Sequence, residues 1–108
     1  MKSIVNLTAH TLNEMATGTE IPPSGIVARV EQNNVKVTEY NGIPVYKTQY
    51  GELIGLPEPK EGTIYIVSAM ALNAVPEWRH DVYAPGYLKR NEEGFIVGCI
   101  GFRSKQTK

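Results

Sequence analysis

The chain has a single cysteine, Cys99, so neither an intramolecular disulfide nor a cysteine-based metal cluster is possible. This cysteine usage favours a reducing cytoplasm. No segment approaches the ~20 apolar residues of a membrane span, and the first residues lack the apolar stretch of a signal peptide. We therefore expect a cytoplasmic protein and exclude disulfide scaffolds and membrane-spanning helices.

The chain also has no net charge, because eleven Lys/Arg balance eleven Asp/Glu. Residues 79–108 carry six basic and three acidic residues, whereas residues 1–78 carry five basic and eight acidic ones. Proteins that bind duplex nucleic acid usually show a strong basic stripe and a high pI, which this chain does not have. The basic C-terminal third suffices to hold one small anion.

Patterns that assemble cofactor, metal and nucleotide sites are missing. No P-loop and no dinucleotide fingerprint occur, and the pair Gly98 and Gly101 lies inside an apolar β-rich run rather than at the start of a helix. Two histidines and one cysteine are too few for a metal site with three or four ligands. We predict no cofactor and no metal.

Catalytic side chains are equally scarce. Cys99 lies in the apolar run of residues 95–102, where a free cysteine usually packs in the core, although a nucleophile paired with His10 or His80 is conceivable. The carboxylates of Glu92 and Glu93 occupy a turn, where solvent stabilises their charge. The sequence favours a protein that is not an enzyme.

Turn residues divide the chain into short β-rich runs without repeats. The pattern predicts one domain over residues 1–108, mostly β (α+β), as a single antiparallel sheet or partial barrel of about seven to eight short strands with one short helix. The polar residues 103–108 are expected to form a frayed tail. Small β domains of this kind often associate through exposed edges, so we expect a homo-oligomer.

Particular signals place the elements. Asn41-Gly42 favours a two-residue type I′ hairpin, and Asn33-Asn34 suggests a second tight turn. Residues 51–62 are loop-like, and Pro85-Gly86 is expected to stop a strand that begins at Val82.

Residues 64–67 form an apolar run without polar alternation, which predicts the central strand of the sheet, buried on both faces. Ser68 is a candidate N-cap for a helix over residues 69–75, and Pro76 ends it. Residues 91–94 predict a second hairpin turn with Gly94 in the left-handed conformation.

Arginine and aromatic side chains remain as candidate ligand-binding groups. Arg29, in a predicted strand, either points outward as an ordinary charge or binds an anion in a shared cavity. The segment from Trp78 through Arg79 to Tyr83 suits a stacked base with an arginine on its phosphate. Alternatively, Trp78 and Tyr83 close the edge of the core while Arg79 is solvated.

Three further residues flank the last predicted hairpin. Arg90 and Asn91 precede its turn, and Arg103 follows its second strand. Asn91 is a turn residue first, with an amide suited to a base edge. Tyr46 and Tyr50 share one strand face, which either packs on a partner subunit or lines a pocket.

Five stretches together resemble small phage and prophage proteins over roughly residues 4–103. They are Ile4–Thr11 (IVNLTAHT), Ile21–Val30 (IPPSG to RV), Tyr50–Pro59 (YGE to GLPEP), Gly62–Ser68 (GTIYIVS) and Asp81–Gly86. The chain is most similar in this style to the phage anti-Thoeris proteins, which sequester immune signals of the cyclic ADP-ribose type, with some relatives that capture cyclic oligonucleotides.

This resemblance implies a homo-oligomeric sponge that holds a nucleotide-derived signal intact in the host cytoplasm. It implies binding by arginines, an aromatic stacking residue and an asparagine, roles that fall on Arg29, Tyr83, Asn91 and Arg103, with Trp78 or Tyr87 as alternative stacking residues. Arg79 and Arg90 complete the candidate set. The alternative is a small phage structural or assembly protein without a small-molecule ligand, and a third reading is a small hydrolase acting on the same nucleotide.

Overall fold

The structure is a computed structural model that describes residues 2–105, in which the chain forms eight β-strands and one α-helix. The predicted fold class, mostly β with one short helix, is confirmed. In chain order the elements are β1 (Ser3–Asn6), β2 (Leu12–Glu14), β3 (Thr19–Ile21), β4 (Arg29–Tyr40), β5 (Ile43–Ile54), β6 (Thr63–Ile66), α1 (Ala69–Asn73), β7 (Val82–Arg90) and β8 (Ile96–Ser104).

Six of the strands form one sheet in the order β1-β6-β7-β8-β2-β3, which curls into a nearly closed partial barrel. Its pairing is mixed rather than purely antiparallel, because β1 with β6, β6 with β7, and β2 with β8 run parallel. Turn residues in the sequence indicate only antiparallel pairs of consecutive strands, so they did not predict these parallel pairs. The parallel pair of β6 and β7 needs a crossover connection, which contains α1.

The core lies between this sheet and α1. Strand β6 is buried on both faces as predicted, but its predicted central position is wrong, because it is the second strand of the six. Ile66 and Val67 are fully buried, and Leu72 of α1 and Val75, two residues beyond its end, are almost as inaccessible.

The predicted helix over residues 69–75 is too long, because α1 ends at Asn73 and the amides of Ala74 and Val75 donate three residues back, to Ala71 and Leu72. Ser68 caps α1 as predicted, since its Oγ accepts a hydrogen bond from the Ala71 amide at 3.2 Å.

The gap between the edge strands β1 and β3 is bridged by the buried side chain of Asn6. Its Nδ2 donates to the carbonyl oxygens of His10 (2.8 Å) and Ile21 (3.0 Å), and its Oδ1 accepts from the amide (2.9 Å) and the hydroxyl (2.7 Å) of Thr8. Two donated and two accepted bonds satisfy the full capacity of the amide. Asn6 therefore fastens the end of β1 to the end of β3.

A second buried polar side chain, Glu14, ties β2 to β8. Its carboxylate accepts hydrogen bonds from the amides of Ala16, Thr17 and Gly101 and from the Thr17 hydroxyl. These hydrogen bonds, that from the Thr17 side chain foremost, lower the pKa of Glu14 from 4.5 to about 2. Glu14 is thus an ionised structural group over the whole physiological range.

Strands β4 and β5 form a separate two-stranded sheet, which we call the arm (residues 29–54). Asn41 and Gly42 at its turn have φ values of 53° and 82°, as a type I′ turn requires, so this hairpin prediction is confirmed. Register shifts between Val30 and Gln32 and between Lys36 and Thr38 mark two β-bulges.

The predicted turn at Asn33-Asn34 is wrong. β4 passes through both residues, which pair with Gln49 and Thr48, and the Thr48 hydroxyl donates to Asn34 Oδ1 at 2.9 Å. The partner strand satisfies the backbone there, so the asparagines need no turn. For the same reason β5 continues to Ile54 instead of giving way to a loop at residue 51.

The predicted break at Pro85-Gly86 is also wrong, because β7 runs through both residues. β6 pairs with β7 only as far as Tyr83, so the missing amide of Pro85 costs no ladder hydrogen bond on that side. Gly86 is required by packing: a Cβ atom there would collide with the carbonyl oxygens of Ile100 and Gly101.

The second predicted hairpin is confirmed, with Gly94 at φ 91°. The predicted polar tail begins too early, because β8 extends to Ser104 and Arg103 pairs with Ala84. Lys105 follows, and its Nζ donates to the Val75 carbonyl oxygen at 2.5 Å. The rest of that tail, residues 106–108, lies outside the described residues.

None of the described helical residues forms a segment long and apolar enough to cross a membrane.

The Asn6 bridge predicts the effect of Asn6→Ala on stability. Removing the amide leaves the buried carbonyl of Ile21 without its side-chain donor and breaks four hydrogen bonds, so the free energy of unfolding should fall by roughly 2–4 kcal/mol in urea titrations. Asn13→Ala is the matched control, because its exposed amide makes one long bond (3.4 Å, to Val97). Equal losses in the two variants would contradict the closing role of Asn6.

The lowered pKa of Glu14 predicts an acid limb in the stability profile. Unfolding raises this pKa back towards 4.5, so the stabilisation is complete above pH 4.5 and disappears as the pH falls towards about 2. In thermal melts between pH 7 and pH 2, the melting temperature of Glu14→Gln should depend less on pH than that of the wild-type chain. The variant should also be less stable at pH 7. Glu20→Gln, on the exposed part of β3, should retain the wild-type slope; identical slopes for all three proteins would refute the assignment.

Candidate functional site

The segment that joins α1 to β7 holds the one tryptophan of the chain beside a fixed arginine. Arg79 donates from Nε to Asp81 Oδ1 (2.9 Å) and from Nη2 to Asp81 Oδ2 (3.1 Å) and to the Pro57 carbonyl oxygen (3.1 Å). Its guanidinium carbon lies 5.5 Å from the centroid of the Trp78 ring and 6.0 Å from that of Tyr65. Arg79 therefore joins the segment to the neighbouring loop and to β6.

The ion pair of Arg79 and Asp81 is mostly buried, with 6% and 21% of the two side chains exposed. The hydrogen bonds from Arg79 lower the pKa of Asp81, although partial burial acts in the opposite direction. The fork of the guanidinium matches the carboxylate bidentately, which is the stronger arrangement of such a pair. Most donors of Arg79 are thus occupied within the chain.

Trp78 itself remains 64% exposed and lines a cleft of about 440 Å³, which we call the Trp78 cleft. The full lining is Lys2, Pro59, Lys60, Glu61, Gly62, Thr63, Trp78, Arg79, His80 and Asp81. Two lysines, an arginine, a histidine and two carboxylates therefore line the cleft around one aromatic ring. Lys2 and Lys60 reach the same cleft because β1 pairs with β6, with Ser3 opposite Thr63.

A smaller cleft of about 330 Å³ lies on the other side of Arg79 and His80, and we call it the Tyr83 cleft. It is lined by Glu77, Arg79, His80, Val82, Tyr83, Ser104 and Lys105. Tyr83 is half-buried, and its hydroxyl donates to the His80 carbonyl oxygen at 3.3 Å. The ring of Tyr83 therefore supports the segment, while Trp78 offers more open surface.

The structure brings together some of the residues predicted from the sequence. Arg79 and Tyr83 line the Tyr83 cleft, whereas Arg103 is exposed on β8 and lines neither cleft. The structure agrees in part with each interpretation of the Trp78–Tyr83 segment. Tyr83 is half-buried, as expected at the edge of the core, whereas Trp78 is exposed, as a stacking surface requires. Arg79 is paired with Asp81 and is therefore not solvated.

The other predicted residues lie elsewhere. Arg90 and Asn91 belong to the β7–β8 turn, seven and eight residues beyond Tyr83, which is about 23 Å or more along an extended strand. Arg90 Nη1 donates to the Gly94 carbonyl oxygen, and Asn91 Oδ1 accepts from the amides of Glu93 and Phe95. Both side chains are thus engaged in shaping the turn.

Arg29 is exposed at the inner end of the arm, opposite Ile54, and it lines neither cleft. Within one chain the arginines therefore do not converge on a single point. Lys2 and Lys60 were not predicted from the sequence, because their positions depend on parallel strand pairs. The pairing of β1 with β6 brings Lys2 to the loop of Lys60, and the pairing of β6 with β7 brings that loop beside Trp78.

Cys99 is a core residue as predicted, with 2% of its surface exposed. Burial, and after it the nearby carboxylate of Glu14, raise the pKa of its thiol, which disfavours the nucleophilic thiolate. Among the described residues no group of three or more His, Cys, Asp or Glu side chains is arranged to hold a metal ion.

Comparisons with protein-family models, with curated proteins and with solved structures found no match for this chain.

The anchoring role of Arg79 predicts that Arg79→Ala destabilises the fold. Asp81 then keeps a partly buried charge without its partner, and the Pro57 carbonyl loses a donor, so unfolding should require roughly 2–4 kcal/mol less. Arg79→Lys should restore little of this, since one ammonium cannot replace the bidentate fork. Urea unfolding, followed by the fluorescence of Trp78, measures the stability of both variants.

Arg103→Ala serves as the control, because Arg103 is exposed and its removal should change stability by less than about 0.5 kcal/mol. A loss in Arg79→Ala no greater than in Arg103→Ala would show that the ion pair contributes nothing to the segment.

Proposed function

We propose that this chain is a binding module that sequesters an anionic, base-bearing small molecule in the Trp78 cleft and leaves it chemically unchanged. The observation that carries the proposal is the exposed Trp78 ring, held beside a fixed guanidinium, in a cleft that also contains Lys2 and Lys60. A volume of about 440 Å³ falls within the range of small-molecule sites.

The chemistry of these side chains suits a nucleotide-derived ligand. An exposed indole offers a flat face on which a base stacks, and such stacking contributes ~1–3 kcal/mol per base. The ammonium groups of Lys2 and Lys60 supply mobile positive charges for phosphate oxygens. Because Arg79 is already bound to Asp81, its part is to hold the ring in place.

Sequestration is consistent with what the described residues show in this cleft, where Asp81 is bound to Arg79 and the buried Cys99 is not part of the lining. A sponge requires affinity without complementarity to a transition state, so it needs neither a nucleophile nor a general base of tuned pKa. Together with the resemblance of the sequence to phage anti-Thoeris proteins, this supports a phage-encoded anti-defence protein. It would act in the host cytoplasm as a homo-oligomer on a signal of the cyclic ADP-ribose or cyclic oligonucleotide type.

The second candidate is a small phage structural or assembly protein without a small-molecule ligand. The arm favours it, because an exposed two-stranded ribbon with apolar side chains is typical of a part that is completed by association. The two candidates differ in one testable property: the first binds a small molecule in the Trp78 cleft, and the second does not.

A titration with ADP-ribose, cyclic ADP-ribose and cyclic dinucleotides tests the proposal. Trp78 is the only tryptophan, so its fluorescence reports stacking directly, and calorimetry gives the affinity. Trp78→Ala should weaken binding by about 10- to 100-fold, the equivalent of one lost stacking contact. Lys60→Ala should weaken ligand binding more at low salt than at high salt, because screening reduces the contribution of an exposed charge.

Tyr87→Ala is the matched control, because this residue is an 80% exposed aromatic outside the cleft. Arg29→Ala and Arg103→Ala, measured in the same way, test the roles that the resemblance implies for those residues. No binding of any of these ligands would favour the assembly protein, and release of altered ligand from the denatured complex would favour a hydrolase.

A further inference from the structure

The Trp78 cleft and the Tyr83 cleft lie side by side at one end of the main sheet. Strands β1, β6 and β7 are parallel and begin at this end, and β8, which is antiparallel to β7, ends there. The Trp78 cleft lies at the starts of β1 and β6, and the Tyr83 cleft lies at the start of β7 and the end of β8. At ~4.8 Å between neighbouring strands, these four strand ends span about 14 Å.

Arg79 and His80 line both clefts and therefore separate one from the other, so we call these two residues the shared wall. His80 is exposed, so its imidazole is accessible to a molecule that extends from one cleft into the other. An imidazole offers at least one N–H donor in either protonation state. The shared wall can thus donate a hydrogen bond to an anionic group that lies across it.

Arg79, besides supporting the ring of Trp78, keeps one end of its guanidinium available at the shared wall. Its Nε and Nη2 donate to Asp81 and to the Pro57 carbonyl oxygen, whereas its Nη1 has no hydrogen-bond partner among the described residues. Every buried side-chain nitrogen and oxygen of the described residues has a partner, so Nη1 must reach the surface. Because the rest of the guanidinium is held by Asp81, the two N–H groups of Nη1 are donors of fixed direction.

The Tyr83 cleft contains the groups that a second base needs. The half-buried ring of Tyr83 and the imidazole of His80 are flat groups of the kind on which bases stack. The carboxylate of Glu77 is an acceptor for the amino group of a base. Lys105 brings a positive charge, and its Nζ uses only one of its three N–H groups on the Val75 carbonyl oxygen. At about 330 Å³ the cleft falls within the range of small-molecule sites.

We propose that the two clefts act together as one site for a dinucleotide. One base stacks on Trp78, the second base enters the Tyr83 cleft, and the phosphates that join the two nucleosides lie across the shared wall. This inference rests on the proposed function and names its ligand class, which is two base-bearing nucleosides joined through phosphate rather than a single nucleotide.

A dinucleotide uses groups that a ligand with one base leaves without a role. A single nucleotide in the Trp78 cleft occupies the indole and the ammonium groups of Lys2 and Lys60, but it leaves the Tyr83 cleft empty. A dinucleotide places its phosphates between these ammonium groups and Nη1 of Arg79. Two contacts joined in one molecule also bind more tightly than either contact alone, because the second contact forms within the complex.

Calorimetric titration of the full chain with diadenosine diphosphate and with ADP-ribose tests the ligand class. Both molecules contain adenosine, a pyrophosphate and a second ribose, and they differ only by the second adenine. Diadenosine diphosphate should bind about 10-fold more tightly or better, the equivalent of one additional stacked base, with one molecule per chain.

The outcomes separate this inference from the proposed function. Binding of both ligands with equal affinity would overturn the dinucleotide site and leave the Trp78 cleft as a site for one nucleotide. Failure of both ligands to bind would refute the proposed function, and the dinucleotide site with it.

Ser104→Phe tests where the second base lies. Ser104 is exposed and lines the Tyr83 cleft, so a phenyl ring there should fill the cleft and lower the affinity for diadenosine diphosphate to that for ADP-ribose in the same variant. Thr38→Phe is the matched control, because it adds the same side chain at an exposed position of the arm and should keep the 10-fold difference. A difference that persists in Ser104→Phe would mean that the second base lies outside the Tyr83 cleft, and would overturn the proposal.

Discussion

The hydrogen bonds of one buried amide, that of Asn6, hold the two edges of the main sheet together. β1 and β3 are the edge strands of the six-stranded sheet, and the Asn6 amide links their ends, aided by the Ser24 amide that donates to the Asn6 carbonyl oxygen. The same strand β1 begins beside the Trp78 cleft, so its alignment against β6 also sets the position of Lys2. The barrel closure and the candidate site are therefore parts of one arrangement.

The sequence predicts the fold where a local signal has no competitor. The turns at Asn41-Gly42 and Gly94 and the cap at Ser68 were found because positive φ and side-chain capping depend on neighbouring residues alone. The false breaks at Asn33-Asn34 and Pro85-Gly86 have the opposite cause. At Asn33-Asn34 the partner strand β5 pairs with both residues, so an extended backbone is acceptable there. At Pro85 the sheet continues on one side only, through β8, so the missing amide is tolerated.

The candidate site was predicted in its local part and missed in its non-local part. The cluster from Trp78 to Tyr83 is visible as a run of aromatic and charged residues, and it does line the two clefts. The salt bridge that binds Arg79 to Asp81 is local too, but its burial depends on Pro57 and on the ring of Tyr65. Lys2 carries no signal of its own, because its place beside Trp78 follows from the parallel pairing of β1 with β6, about sixty residues later in the chain.

The two bulges in the arm bear on how far association can extend. An unpaired strand edge is a template onto which further strands add without limit, and it is the usual origin of fibres. Each bulge interrupts the regular ladder and increases the local twist, and Pro44 removes a donor close to the turn. A long, exposed ribbon can thereby remain unsuited to edge-on polymerisation, which leaves its side-chain faces rather than its strand edges open to contact.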